Sequence, residues 1–225
     1  MIKCTNIKET LEQMIRTKEI DTDIVLIDII DFSRLDSQQQ LQLISFLTRS
    51  YRKVIEKMLL AEKISLESFI IGFISTGDGF YSLLNPRYRG YGLILGLSFN
   101  HFSEQIAKKF PYFRGIRIAV HTGKVSKFKD ILGHDNFIGD GLNDCARYLE
   151  LKDFTISTVM VSQNAYNYFK TFISCKKEYE RILQEREFKR SNIYTFTDKH
   201  NIEKHGYLVW MRKSGIITPP KYKFQ

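Results

Sequence analysis

The chain has 225 residues, 43% of them apolar and 26% charged, a balance that excludes a disordered chain and suits one sizeable core rather than two domains. Its formal charge of +9 admits nucleic acid, an anionic membrane surface or a polyphosphate ligand as partner. No uncharged apolar run reaches the roughly 18 residues of a spanning helix, and no apolar signal region follows Lys3, so a cytoplasmic location is expected and no membrane.

Residues 1–20 read as a short lead-in helix. The run Ile24-Val25-Leu26-Ile27-Asp28-Ile29-Ile30, within 23–32, suits a strand buried on both faces, the centre of a sheet. Asp36 or Ser37 can cap a helix over 38–62, in which Leu41, Ile44, Leu47, Tyr51, Val54, Ile55 and Met58 recur at three-and-four spacing. Strands over 68–76 and 79–84 are joined tightly at Gly77-Asp78-Gly79. A helix over 91–110, a strand over 115–121 broken at Gly123, and a helix opened by Gly139-Asp140-Gly141 and running to Leu151 complete a β-α-β-β-α-β order. The predicted fold class is therefore α+β, with a ferredoxin-like core.

A strand near 158–161, one charged helix from 163 to 184, and strands over 192–197 and 207–211 extend that core. Residues 214–225, with Pro219 and Pro220, read as a tail, leaving 21–213 as one domain. The last fifty residues hold twelve Lys and Arg against six acids. Interleaving with Glu178, Glu180, Glu185 and Glu187 makes this a solvated helix face rather than a nucleic-acid stripe. Cys4, Cys145 and Cys175 show no metal-ligand spacing and are expected as reduced thiols.

An aspartate inside an apolar strand is costly unless its charge is compensated, so Asp28 requires a cation: a metal ion, or a buried Lys or Arg. Asp78, at the tip of the neighbouring hairpin, brings a second carboxylate to the same end of the sheet, and paired acids of this kind hold Mg2+ or Mn2+ for phosphoryl chemistry. Asn143 and Arg147, four apart, share one helix face; the guanidinium suits charge developing on phosphorus and the amide suits a sugar hydroxyl.

Taken in order, Val25-Leu-Ile-Asp-Ile-Ile-Asp-Phe-Ser-Arg-Leu35, Ser75-Thr-Gly-Asp-Gly-Phe-Tyr81, Gly115-Ile-Arg-Ile-Ala-Val-His-Thr-Gly123 and Phe137-Ile-Gly-Asp-Gly-Leu-Asn-Asp-Cys-Ala-Arg147 resemble the catalytic domain of class III adenylate and guanylate cyclases. The resemblance spans about residues 20 to 212. It implies two divalent metal ions (Mg2+ or Mn2+) held by Asp28, Asp78 and the Ile29 carbonyl, a ribose positioned by Asn143 and a transition state stabilised by Arg147. It also implies a phosphate cradle at the Phe32 and Ser33 amides, and a triphosphate lysine at Lys204, with Lys199 nearly as well placed. The partners implied are a nucleoside triphosphate and a second copy of the chain, in a homodimer whose sites lie at the interface.

At the positions where the family reads a purine stand Ile74 and Asn136, which carry neither the adenine nor the guanine pattern. The resemblance then points to the stand-alone pyrimidine cyclases of Pycsar antiphage defence, with UTP ahead of CTP and a separate effector reading the product. An adenylate cyclase with an atypical base pocket and a non-catalytic nucleotide-binding module are the alternatives. Asp31 stands where the family places glycine and is expected to point into solvent.

Overall fold

The computed structural model describes residues 19–60, 63–150, 158–198 and 200–211. Most of the expected lead-in helix, the tail, Cys4 and Lys199 lie outside them. The elements are β1 (Ile20–Ile29), α1 (Ser37–Leu59), a single turn α2 (Leu66–Phe69), β2 (Ile70–Ser75), β3 (Gly79–Leu84), α3 (Tyr91–Lys109), β4 (Ile116–Lys129), β5 (Asp135–Ile138), α4 (Asp140–Leu149), β6 (Val159–Ser162), α5 (Gln163–Cys175), α6 (Lys177–Glu185), β7 (Phe188–Arg190), β8 (Tyr194–Thr197) and β9 (Glu203–Met211). The strands form a sheet in the order β2-β3-β1-β4-β6-β9-β7, with β5 added to β4 and β8 to β9. The first four strands take the ferredoxin-like order, each antiparallel to its neighbour, while β4 and β6 are parallel. No helix among the described residues is long and apolar enough to cross a membrane.

β1 is central because its residues are apolar on both faces. Val25, Ile27 and Ile29 join a core with Leu43 and Leu47 of α1, Leu93 and Leu97 of α3, and Phe169 of α5. Ile24 and Leu26 point the other way, against Cys145, Tyr148 and Leu149 of α4. The buried Asp23 carboxylate ties this centre together, accepting from the Gly90 and Gly92 amides at 2.7 and 3.1 Å and from the Thr122 hydroxyl at 2.6 Å. Burial nevertheless pushes its pKa above the ordinary carboxylate value.

Several expectations need correction. The strand expected to break at Gly123 runs on to Lys129 and pairs with β5. Gly123 does not end it; a Cβ there would lie 2.6 Å from His121 Nε2 and 2.9 Å from Gly141 Cα, so glycine is what admits the start of α4. Leu41 is 65% exposed and does not pack; Leu43 lies inside instead, in a helix opened by Asp36 and Gln39 as a reciprocal capping box. The strand expected from Ser68 begins as a helical turn capped by Ser65. The single helix over 163–184 is two, parted where Lys176 takes φ −127° and ψ 77°. β7, which pairs with β9, was not anticipated.

Candidate active site

Asp28 is the penultimate residue of β1, opposite Gly79 on one side and Arg117 on the other. Gly79 is forced: a Cβ there would collide with the Ile27 carbonyl oxygen. The close approach lets the Ile29 amide donate to the Asp78 carbonyl at 2.9 Å, which fastens the tip of the β2–β3 hairpin to the end of β1. Gly77, at φ 91°, makes the turn, and the Thr76 hydroxyl donates to Asp78 Oδ1 at 3.2 Å. Two carboxylates thus meet at the end of the central strand.

Arg117, unnoticed in the sequence, supplies the cation that Asp28 requires. Its Nε and Nη2 lie 2.8 and 2.5 Å from Asp28 Oδ2, and its Nη1 reaches the Leu149 carbonyl at the end of α4 at 3.5 Å. The signal was strand alternation, which sets Arg117 on the same face as Ala119 and His121. Asp28 still titrates above the ordinary carboxylate value: burial raises it, Arg117 pulls it down, and neighbouring Asp78 pushes it up again. Two carboxylates against one guanidinium leave a net negative charge, so a further cation fits here. Among the described residues no three His, Cys, Asp or Glu side chains cluster to hold a metal ion. The acid pair and a backbone carbonyl such as that of Ile29 form the donor set on offer, all oxygen, as Mg2+ and Mn2+ prefer.

On α4, Asn143 is exposed and Arg147 half-buried, one turn apart on the same helix. Arg147 Nη1 lies 2.7 Å from Asp144 Oδ1 and 3.1 Å from Asp198 Oδ2. Lys204, at the start of β9, lies 2.8 Å from Asp144 Oδ2, so the two basic residues singled out in the sequence share one acid. Asp198, whose side chain is wholly buried, accepts at Oδ1 from the His200 and Ile202 amides at 2.8 and 3.0 Å. Burial alone would raise its pKa; those amides with Arg147 and Lys204 hold it below the ordinary value. Neither Asp144 nor Asp198 stood out in the sequence, because each became informative only once the β8–β9 turn was placed against α4.

The intrachain partners of Arg147 are therefore Asp144 and Asp198, not the acid pair. Ile74 is half-buried on β2, opposite Tyr81, and packs against the α4-side core without offering a hydrogen bond to its surroundings. Asn136 on β5 turns its carbonyl oxygen back to the Phe137 amide at 2.8 Å. The strands that carry them approach each other, the Phe137 ring lying 2.5 Å from where a Gly72 Cβ would be. Phe32 and Ser33 open a 3-10 turn, with amides pointing out of its N-terminal end. Asp31 before it adopts φ 57°, the left-handed conformation for which glycine is the usual residue, and its exposed carboxylate lies 3.6 Å from Arg34. It points to solvent as expected.

No protein-family model matches the chain, and no curated protein matches it in sequence. Solved structures do. The catalytic core of a rhodopsin-guanylyl cyclase with converted specificity, in complex with ATPαS, superposes with a TM-score of 0.63 at 16% identity, covering 88% of this chain and 99% of that one. This chain has the fold of nucleotide cyclase catalytic domains. The guanylate cyclase domain of RhGC from Catenaria anguillulae, in complex with GTP, gives 0.61 at 16% identity over 87% and 100% of the two chains. The adenylyl cyclase CyaB from P. aeruginosa gives 0.59 at 13% identity over 92% and 100%.

Proposed function

We propose that this chain is a metal-dependent cyclase that closes a nucleoside triphosphate into its 3′,5′-cyclic monophosphate with release of pyrophosphate. The observation that carries the proposal is the junction of Asp28 and Asp78 at the end of β1, on a cyclase fold whose α4 bears Asn143 and Arg147 on one face. Two divalent ions held by Asp28, Asp78 and the Ile29 carbonyl would supply Lewis-acid polarisation of the triphosphate and acidify the attacking hydroxyl. Asn143 orients the ribose. Arg147 stabilises the charge that gathers as the 3′-oxygen bonds to the α-phosphorus and the bond to the bridging oxygen of pyrophosphate breaks, the hydroxyl proton leaving to solvent. The Phe32 and Ser33 amides and Lys204 meet the phosphate oxygens, while Arg117 stays on Asp28.

The complete site is assembled by two copies, acids from one and Asn143 and Arg147 from the other, as the resemblance implies; an Arg147 whose partners in its own copy are Asp144 and Asp198 is in keeping with this. Fully exposed Ile131 and neighbouring Leu132 at the tip of the β4–β5 hairpin, with exposed Ile138 at its base, offer apolar surface for a second copy to cover. The substrate is a pyrimidine triphosphate, because Ile74 offers no hydrogen bond where a purine reader would stand and the carbonyl oxygen of Asn136 is already engaged; UTP is placed before CTP by the resemblance alone. A role in antiphage signalling through a separate effector follows from the same reading.

Purified protein supplied in turn with ATP, GTP, CTP and UTP in the presence of Mn2+, with products read by mass spectrometry, tests this. Cyclic UMP or CMP is expected. Preferred turnover of ATP returns the adenylate reading, and no product from any of the four leaves a non-catalytic nucleotide-binding module.

A further inference from the structure

The cations of α4 and β9 are not independent. Asp144 grips Arg147 with one carboxylate oxygen at 2.7 Å and Lys204 with the other at 2.8 Å, and Arg147 is held a second time by Asp198 at 3.1 Å. The four side chains are between 0% and 23% exposed, and two positive charges balance two negative ones. Long basic side chains otherwise sample many rotamers, and fixing them before substrate arrives removes that cost from the reaction. Asp198 is itself immobilised by two backbone amides of the β8–β9 turn, so the frame that holds Arg147 is rigid on both sides.

We propose that Asp144 is a positioning residue, resting on the cyclase reading above. One carboxylate sets the spacing of Arg147 and Lys204, so that the group stabilising the transferring phosphorus and the group gripping the rest of the triphosphate are presented as one unit. Asp144 touches no substrate atom; it acts through the two cations. Its negative charge lies near the incoming polyphosphate and opposes ground-state binding, so the contribution is to turnover and not to affinity. Lys204, which the sequence put only just ahead of Lys199, is thereby the cation coupled to Arg147.

The test is steady-state kinetics of Asp144→Ala and the near-isosteric Asp144→Asn, with thermal melting of each. Asp144→Ala is expected to lower kcat by about 10- to 100-fold, the scale of a misplaced catalytic group. KM for the metal–nucleotide complex should be unchanged or lower, and Asp144→Asn, which still accepts from one cation, should fall between that variant and wild type. A purely structural residue would instead lower the melting temperature and the active fraction without this split between kcat and KM. Wild-type kcat in a folded Asp144→Ala or Asp144→Asn protein overturns the proposal, as does a raised KM with kcat preserved. Should Asp144→Ala fail to fold, Asp144→Asn decides alone by the same criteria. Wild type that cyclises none of the four triphosphates brings down the cyclase reading and this role with it, whereas an active wild type with an indifferent Asp144 brings down this role only.

Discussion

Arg117 approaches Asp28 from the adjacent strand with two nitrogens on a single carboxylate oxygen, at 2.8 and 2.5 Å. Asp78, at the tip of the neighbouring hairpin, sets a second carboxylate beside that of Asp28. Asp28 is thus half-neutralised: its burial in the sheet is made tolerable by a guanidinium, while the Asp78 carboxylate adds a negative charge that a further cation would offset.

Replacing that guanidinium should make stability depend on metal. Arg117→Ala leaves Asp28 buried beside Asp78 with no counter-charge. Because Arg117 is 40% exposed, the loss is discounted for solvent to about 1 kcal/mol, or a melting temperature lower by about 2–4 °C. Addition of Mn2+ should recover most of this in the variant and change wild type less. Equal shifts in both proteins would mean that no cation binds at Asp28.

Asp78→Ala removes an exposed turn residue whose side chain accepts from Thr76 and repels Asp28, so melting should be almost unchanged. Product formation should fall to background at any Mn2+ concentration. Full activity in a product assay would show that the acid pair is not the metal site.

Mixing two dead variants tests the shared interface. Asp78→Ala and Arg147→Ala, unfolded and refolded together, form heterodimers that contain one intact site and one doubly damaged site. Activity should return to about a quarter of wild type, since about half of the dimers are mixed and each has one working site. Failure to recover activity, with dimers confirmed by light scattering, would place acids and guanidinium in the same copy.

His121 gives the pH dependence. Burial lowers its pKa from the ordinary 6.5 to about 4, with Lys204 adding to the effect and Asp144 and Asp21 opposing it. Its Nδ1 is buried with no hydrogen-bond partner among the described residues. Between pH 6.5 and 4 the unfolded chain holds a proton here that the folded chain refuses, so this stability is intact above pH 6.5 and is lost as pH falls towards 4. The loss approaches ~3 kcal/mol across that window. Urea unfolding of wild type and His121→Gln at pH 7, 5.5 and 4.5 should show the gap between the two proteins shifting in favour of the variant as pH falls; a constant gap would remove His121 as the cause.

The parts of this molecule legible in its sequence were those where local pattern and tertiary demand agree. The apolar run of β1 could be satisfied only in the middle of a sheet, and Gly77-Asp78-Gly79 only as a tight hairpin. Gly123 misled because a glycine reads as a break when only the chain itself is considered, whereas here it clears space for Gly141 across a packed interface. Lys176 misled in the opposite sense, its helix-compatible neighbours giving no sign that α5 and α6 would part. For the candidate site, the two acids stood out by their setting in an apolar strand and at a hairpin tip, and Asn143 and Arg147 by their four-residue spacing. Arg117, Asp144 and Asp198 were not, since each is defined by a partner 89, 60 or 51 residues away in sequence: Asp28, Lys204 and Arg147 respectively.

Asp31 carries a wider lesson in its backbone. At φ 57° it does what glycine would do, and it belongs to the small set of side chains that accept that handedness at modest cost. The position therefore selects for a torsion angle, not for the absence of a side chain. Asparagine or glycine should serve there as well as aspartate, while valine or isoleucine should unwind the turn that follows, carrying the Phe32 and Ser33 amides out of line with it.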